Sequence, residues 1–216
     1  MPRTHFEQAL NNLHQQIVAM SLLAEDMLKA AMHALKTRNP ELARQVMESD
    51  DEVDRAEVEI EKICISLLTR QQPLAKDLRQ VMSVVKMTTD IERIADQAAD
   101  ICELMAEELE AMRIAPPDTL YELSACAAQM AHEAIHAYVH QDEEQARRVI
   151  QEDETADGLY AHTLSHLQAA MREQPEEIGT AMKLAFAAKY LERIADHATN
   201  IAEWAIYRIT GEILLS

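Results

Sequence analysis

The chain has 216 residues, of which 48% are hydrophobic, 4% are aromatic and three are glycine, and its formal net charge is −18. So few glycines exclude folds that depend on many tight turns, such as β-sandwiches and α/β sheets. Nucleic-acid binding requires a positive face. The negative net charge and the scattered Lys and Arg residues of this chain argue against such a face. The abundant residues are Ala, Leu, Glu, Met, Gln and Arg, which are strong helix formers.

Apolar residues recur at helical spacing along almost the whole chain, and a few breaks divide the pattern into six helices. Asn39 followed by Pro40 is typical of an N-cap with proline at the first helical position. The later breaks are Gln72-Pro73, Ala115-Pro116-Pro117-Asp118, His140-Gln141-Asp142 and Gln174-Pro175. The predicted helices span residues 4–37, 40–70, 74–113, 119–140, 143–172 and 176–211.

The paired prolines at 116 and 117 separate three helices from three. Because short connections make consecutive helices antiparallel neighbours, we predict an all-α fold of two tandem, similar three-helix bundles, residues 1–115 and 116–216. The three unclustered cysteines are typical of reduced cytosolic thiols, and the N-terminus lacks an apolar signal core. No run of about 18 apolar residues occurs, so we expect a cytoplasmic protein without a membrane span.

The two halves carry an internal repeat. Glu92-Arg93-Ile94-Ala95-Asp96 recurs 100 residues later as Glu192-Arg193-Ile194-Ala195-Asp196. Asp50-x-x-x-Asp54 recurs 103 residues later as Asp153-x-x-x-Asp157, and the same offset relates Asn39 to Asp142. Self-similarity of this kind indicates two copies of one structural unit.

The repeated carboxylates fall on one flank of their helices. Like charges four residues apart are neighbours on a helix and repel each other, and a bound cation would offset that repulsion. Hard cations prefer oxygen ligands, so each half is predicted to hold one metal site between its second and third helices. The alternative is a solvated acidic face that Arg93 and Arg193 partly neutralise. The candidate metal ligands are Asp50, Asp54, Glu92, Asp96 and Asp100 in the first half, and Asp153, Asp157, Glu192, Asp196 and Asn200 in the second.

A histidine stripe, His132, His136 and His140, has the spacing i, i+4, i+8. We interpret it as an exposed surface stripe that lies opposite the apolar face of its helix. Binding of a transition metal is the alternative, because neutral imidazole suits zinc, copper or nickel. The pair His162 and His166 has the same two interpretations.

Two further blocks complete the pattern. Residues 190–203, centred on the second Glu-Arg-Ile-Ala-Asp, are followed by Tyr207-x-x-Thr210-Gly211-Glu212. Gln71-Gln72-Pro73-x-x-x-Asp77-Leu78-Arg79 precedes Ile91-Glu92-Arg93-Ile94-Ala95-Asp96 in the first half. Together these blocks closely resemble the two repeat signatures of the PhoU family, in the right order and over essentially the whole chain.

The resemblance implies a cytoplasmic, non-enzymatic regulator that restrains phosphate uptake and the phosphate-starvation (Pho) response. It implies multinuclear clusters of metal ions, whether iron, zinc, manganese or magnesium, and a homodimer or higher oligomer. The implied partners are the ATPase subunit of the phosphate ABC transporter (PstB-like) and the phosphate sensor histidine kinase (PhoR-like). The family motif falls here on Asp50/Asp54, Glu92/Asp96, Asp153/Asp157 and Glu192/Asp196.

Two positions depart from the family pattern: Ala95 replaces a glycine, and Asp100 replaces a frequent asparagine, which alters the charge of the first site. A ferritin-like di-metal enzyme is one alternative, but Glu133-x-x-His136 fits its ligand pattern once, and the repeat partner is Ala30-x-x-His33. A metal-free helical scaffold is the other. Walker A, nucleophile-elbow and dinucleotide-binding motifs are all absent from the sequence.

Overall fold

The computed structural model describes the backbone of residues 3–71 and 74–214, and the side chains of residues 7–70 and 74–214. The predicted break at Gln72-Pro73 lies outside this part of the chain. A short 3₁₀ turn, Pro175–Glu177, precedes the last helix. The α-helices are α1 (Arg3–Thr37), α2 (Pro40–Gln71), α3 (Ala75–Met105), α4 (Asp118–His140), α5 (Glu143–Glu173) and α6 (Ile178–Thr210).

Helices α2 and α5 begin in the same way, as the repeat predicts. Asn39 Oδ1 accepts hydrogen bonds from the backbone N–H groups of Glu41 and Leu42, both at 3.1 Å. In the second half, Asp142 Oδ1 accepts one from the N–H of Gln145 at 2.9 Å. The residue before each cap is left-handed, with φ of 55° at Arg38 and at Gln141. Such caps satisfy N–H groups that have no partner within the helix.

The third helix is shorter than predicted, because α3 ends at Met105 rather than near residue 113. The chain continues in tight turns, with the N–H of Glu108 bonded to the carbonyl of Met105 at 2.9 Å. Leu109 and Met112 are buried, so these turns keep the apolar side chains in the core. Glu108 also accepts a hydrogen bond from Lys183 Nζ on α6 at 2.9 Å, which ties the segment to the other half.

Helices α1 to α3 form one bundle and α4 to α6 the other, which confirms the predicted fold class. The bundles pack through α3 against α6 and through α1 against α4. Lys86 near the start of α3 contacts Trp204 near the end of α6, and Glu108, just after α3, contacts Lys183 near the start of α6, so the two helices are antiparallel. One apolar core runs through both halves. The division at residues 115 and 116 therefore remains a prediction.

The three cysteines are free thiols, with Cys64 and Cys102 buried and Cys126 half-buried. Burial raises the pKa of Cys64 and of Cys102 to about 12, which makes both thiols unreactive at neutral pH. Within the described residues, none of the helices combines the length and the apolar character that a membrane crossing requires.

Candidate metal centres

The first carboxylate cluster lies between α2 and α3. Asp50 and Asp54 are one turn apart on α2, and Asp96 faces them from α3. One carboxylate oxygen from each of these three residues lies within 4.8 Å of the other two. On each helix the carboxylates occupy one flank. The antiparallel packing of α2 and α3 places these two flanks face to face. This is the juxtaposition that the sequence predicts.

Glu92, one turn before Asp96 on α3, lies on the inner side of this cluster, with its side chain 11% exposed. Two buried carboxylate oxygens of the cluster, Asp50 Oδ1 and Glu92 Oε2, accept no hydrogen bond from the described residues. Arg93 Nε lies 3.2 Å from Glu92 Oε2 as an ion pair, and Arg93 Nη1 donates to Asp96 Oδ2 at 2.7 Å. Buried acceptors without a donor are costly, so the cluster favours a cation.

The electrostatics of the first cluster point the same way. Burial raises the pKa of Glu92 to about 7 and that of Asp50 to about 6, and the charge of Asp96 adds to both rises. Arg93 opposes the rise in the pKa of Glu92. The carboxylates therefore lack enough positive charge from the protein, and an all-oxygen donor set of this kind fits a hard cation.

The second cluster lies between α5 and α6, at the equivalent place in the repeat. Burial raises the pKa of Asp153, and the charges of Asp157 and Glu192 add to the rise. Loss of hydration likewise raises the pKa of Asp196, with contributions from Glu192 and Asp153. The four predicted carboxylates are therefore neighbours here too. Thr199 Oγ1 donates a hydrogen bond to Asp153 Oδ1 at 3.4 Å.

Lys189 distinguishes the second cluster from the first. Its ammonium group donates to Glu192 Oε2, and it lies 5.6 Å from the centre of the Tyr160 ring. The residue 100 positions earlier is Thr89, whose hydroxyl donates to the carbonyl oxygen of Val85 at 3.5 Å and adds no charge. In the described part of the chain, the first cluster is the one that brings three ligand atoms within 4.8 Å. Lys189 thus supplies positive charge at the second cluster that the first cluster lacks at the equivalent position.

Asp100 and Asn200 lie on the interface between α3 and α6, at the edge of the clusters. Asn200 Nδ2 donates to Asp90 Oδ1 at 3.1 Å, and His197 Nδ1 lies 3.0 Å from the same oxygen. Asn200 is thus directed to the other bundle, unlike the carboxylates predicted beside it. Burial and the charge of Asp96 raise the pKa of Asp100, and Arg193 of α6 opposes that rise.

The histidine stripe is exposed, but it borders a groove between α4 and α1. His132 Nδ1 lies 3.2 Å from Glu25 Oε1 of α1. His136 Nδ1 lies 2.7 Å from Gln145 Oε1, and its ring stacks on that of His140 at 3.9 Å. His140 Nδ1 lies 2.9 Å from the carbonyl oxygen of His136. The exposure agrees with the prediction of a surface stripe, and the contact with α1 was not predicted.

The model of the family described as PhoU domain matches residues 17–105 and 120–205 of this chain. The chain belongs to the PhoU family. The matched ranges are the two halves of the repeat and include all of the predicted ligands.

Curated PhoU relatives match along nearly the whole chain. The phosphate-specific transport system accessory protein PhoU homolog of Aquifex aeolicus is 37% identical, with 95% of this chain and 93% of the relative covered. The homolog of Zymomonas mobilis, with the same description, is 35% identical over 96% of this chain and 87% of the relative. The crystal structure of PhoU from Pseudomonas aeruginosa superimposes with a TM-score of 0.90 at 33% identity, covering 96% of this chain and all of that chain.

A second PhoU crystal structure, of the phosphate transport system regulatory protein from Streptococcus pneumoniae, also has a TM-score of 0.90. It is 26% identical and covers 98% of this chain and all of that chain. The architecture described above is thus that of solved PhoU proteins.

Sequence reasoning missed four residues beside the candidate sites of this PhoU protein: Lys189, Thr89, Asp90 and Glu25. Comparison of positions 89 and 189 in the repeat would have found the charge difference between the clusters. No comparable signal exists for Asp90 and Glu25. Their partners are on the other bundle, and helical periodicity does not specify how two bundles pack.

Proposed function

We propose that this PhoU protein is a non-catalytic, cytoplasmic regulator of a phosphate transport system, which restrains phosphate uptake and the phosphate-starvation response. The observation that carries the proposal is the match, over nearly the whole chain, to relatives named phosphate-specific transport system accessory proteins. In this role the protein is an adaptor between the ATPase subunit of the transporter (PstB-like) and the phosphate sensor kinase (PhoR-like), and it acts as a homodimer.

We further propose that metal ions bind at the two carboxylate clusters. At the first, Asp50, Asp54, Glu92 and Asp96 would hold the ion. Two buried oxygens that accept no hydrogen bond from the described residues support this assignment: Asp50 Oδ1, and Glu92 Oε2, which has only the ion pair with Arg93. A bound cation would supply positive charge between α2 and α3. The carboxylates would then hold the two helices together instead of repelling each other across the interface.

Deletion of the gene in its native host tests the regulatory role. With alkaline phosphatase as the readout in high phosphate, we expect expression to rise on deletion and to fall again when the gene is restored. Continued repression in the deletion strain would contradict the proposal. Purified protein should also bind the purified ATPase subunit and the cytoplasmic part of the kinase. Ferroxidase turnover with Fe(II) and dioxygen would support the di-metal enzyme instead.

Elemental analysis after gel filtration tests the metal sites separately. Iron, zinc, manganese and magnesium are supplied one at a time to purified full-length protein. We expect the D50N/D96N variant to retain less metal than the wild type. The control is E48Q/E52Q, which also removes two carboxylates, both of them exposed on α2 and outside the cluster. Equal metal content in all three proteins would show that the carboxylate cluster binds no metal and would contradict the assignment. The metal-free helical scaffold would then be favoured.

A further inference from the structure

The groove between α1 and α4 contains a set of metal-binding side chains that the carboxylate clusters do not use. On α4, His132-Glu133-Ala134-Ile135-His136 has the pattern H-E-x-x-H. Two histidines four apart on a helix present both imidazoles on one face, which is how this pattern holds zinc. Both histidines border the groove.

The facing helix supplies an acidic ligand. Glu25 of α1 is buried, with 7% of its surface exposed, yet its Oε1 lies only 3.2 Å from His132 Nδ1. Its other oxygen lies 3.4 Å from Lys29 Nζ, and the lysine side chain is 60% exposed. Each oxygen of this buried carboxylate thus has one partner, and both partners are solvated side chains, 61% exposed at His132 and 60% at Lys29, so a cation can reach the carboxylate.

The surroundings suit a bound ion. The groove has a volume of about 160 Å³ and is open to solvent, which gives an ion a path to the carboxylate. Its walls are apolar, with Val18 and Leu22 on α1 and Ile135 and Val139 on α4. Such walls strengthen the attraction between a cation and the carboxylate because they exclude water from one side.

We propose that Glu25, His132 and His136 form a binding site for a transition metal ion of the zinc class. Neutral imidazole and carboxylate are ligands that suit zinc, whereas magnesium and calcium prefer oxygen alone. The three ligand atoms do not lie within 4.8 Å of one another in this structure, so His136 joins the ion by turning its exposed side chain away from Gln145 and from the stacked ring of His140. The half-buried Glu133 accepts a hydrogen bond from Gln129 Nε2 at 2.9 Å and is not a ligand. The site joins α1 to α4 and thus one bundle to the other.

Zinc titration of chelator-treated, full-length protein, with a competing chromophoric chelator, tests the site. We expect E25Q, H132Q and H136Q each to weaken one zinc site by at least about tenfold. The matched control is H162Q/H166Q, which removes a histidine pair of identical spacing on α5, where His166 faces Thr119 instead of a buried carboxylate. The control should bind zinc as the wild type does.

Two results would overturn the proposal: wild-type zinc affinity in both H132Q and H136Q, or an equal loss of affinity in the control. The site does not depend on the proposed function or on the carboxylate clusters. Therefore D50N/D96N should keep this zinc site, and H132Q/H136Q should keep the ions held by oxygen ligands. A cobalt(II) spectrum of nitrogen-bound metal in the wild type that H132Q/H136Q abolishes would assign the ligands directly.

Discussion

Asn200 on α6 donates a hydrogen bond from Nδ2 to Oδ1 of Asp90 on α3, at 3.1 Å, across the interface between the two bundles. The residue that corresponds to Asn200 in the first half is Asp100, and the one that corresponds to Asp90 in the second is Tyr190. Tyr190 lies beside Asp100, whose charge contributes to the raised pKa of the tyrosine. The repeat thus places the same two positions twice at the α3–α6 interface. Asp90 and Asn200 form a hydrogen bond in one contact, whereas Tyr190 and Asp100 are neighbours in the other.

Substitution of Asn200 with Asp should destabilise the protein. The new carboxylate replaces a donor beside the Asp90 carboxylate, so a hydrogen bond becomes a like-charge contact with a cost of about 1–2 kcal/mol. Urea unfolding at pH 7 measures the change. The matched control is D100N, which removes a partly buried charge at the equivalent position and should not lower the free energy of unfolding. Equal stability of N200D and the wild type would contradict the prediction.

The metal-free protein should lose stability as the pH rises from 5 to 8. Burial first, and the charge of Asp96 second, raise the pKa of Glu92 from 4.5 to about 7 in the folded protein. Between pH 4.5 and about 7, Glu92 holds its proton in the folded state and has released it in the unfolded state. The free energy of unfolding therefore falls as the pH rises through this range. Asp50, with a pKa of about 6, has the same sign.

Urea unfolding of E92Q and the wild type in the presence of a chelator isolates the effect of Glu92. At pH 8 we expect E92Q to be more stable than the wild type by on the order of 1–3 kcal/mol. The difference should shrink as the pH falls and vanish well below pH 4.5, where Glu92 is protonated in both states. Parallel pH profiles for the two proteins would show that Glu92 has an ordinary pKa.

Exchange of Lys189 and its repeat counterpart Thr89 should exchange metal affinity between the clusters. Lys189 places a positive charge on Glu192, which a metal ion must displace. K189T should therefore strengthen Mn²⁺ binding at the second cluster by about tenfold, equivalent to about 1.4 kcal/mol. T89K should weaken Mn²⁺ binding at the first. Calorimetric titration with Mn²⁺ measures both changes, and an unchanged affinity in K189T would contradict the role assigned to the lysine.

Substitution of Gly211 with Ala should destabilise the end of α6. Gly211 has a φ of 83°, a left-handed conformation that ends the helix, and an added Cβ would lie 2.8 Å from Arg79 Nη1. We expect a loss of about 1–2 kcal/mol, measured by urea unfolding. Gly158 is the control, because it lies within α5 and an added Cβ would meet nothing within 4 Å. G158A should stabilise the protein by about 0.5–1 kcal/mol, and the opposite order would contradict this account.

The cluster between α2 and α3 could be predicted because it depends on local rules. Residues four apart share a helix face, and short connections make the two helices antiparallel neighbours, so Asp50, Asp54 and Asp96 had to meet. The two caps, Asn39 and Asp142, are also local. These features need no knowledge of how the two bundles pack.

Features that depend on packing between the bundles could not be predicted. The apolar pattern continues past Met105 through Leu109 and Met112, so the sequence does not reveal the end of α3. Beyond that end, Glu108 pairs with Lys183 across the interface, which is a contact between the bundles. The histidine stripe was correctly expected at the surface, but the position of Glu25 beside it follows from the contact of α1 with α4.

The α3–α6 interface has a consequence for how the two clusters respond to each other. Asp100 lies within the influence of Asp96 in the first cluster and of Arg193 on α6, which is next to Glu192 in the second. An ion at the first cluster would cancel the charge of Asp96 and so favour the ionised form of Asp100, whose charge faces Arg193 beside the second cluster. Such coupling is reciprocal by thermodynamic necessity, so each ion would change the affinity for the other by the same factor. We therefore expect the two proposed sites to be energetically coupled although they belong to different bundles.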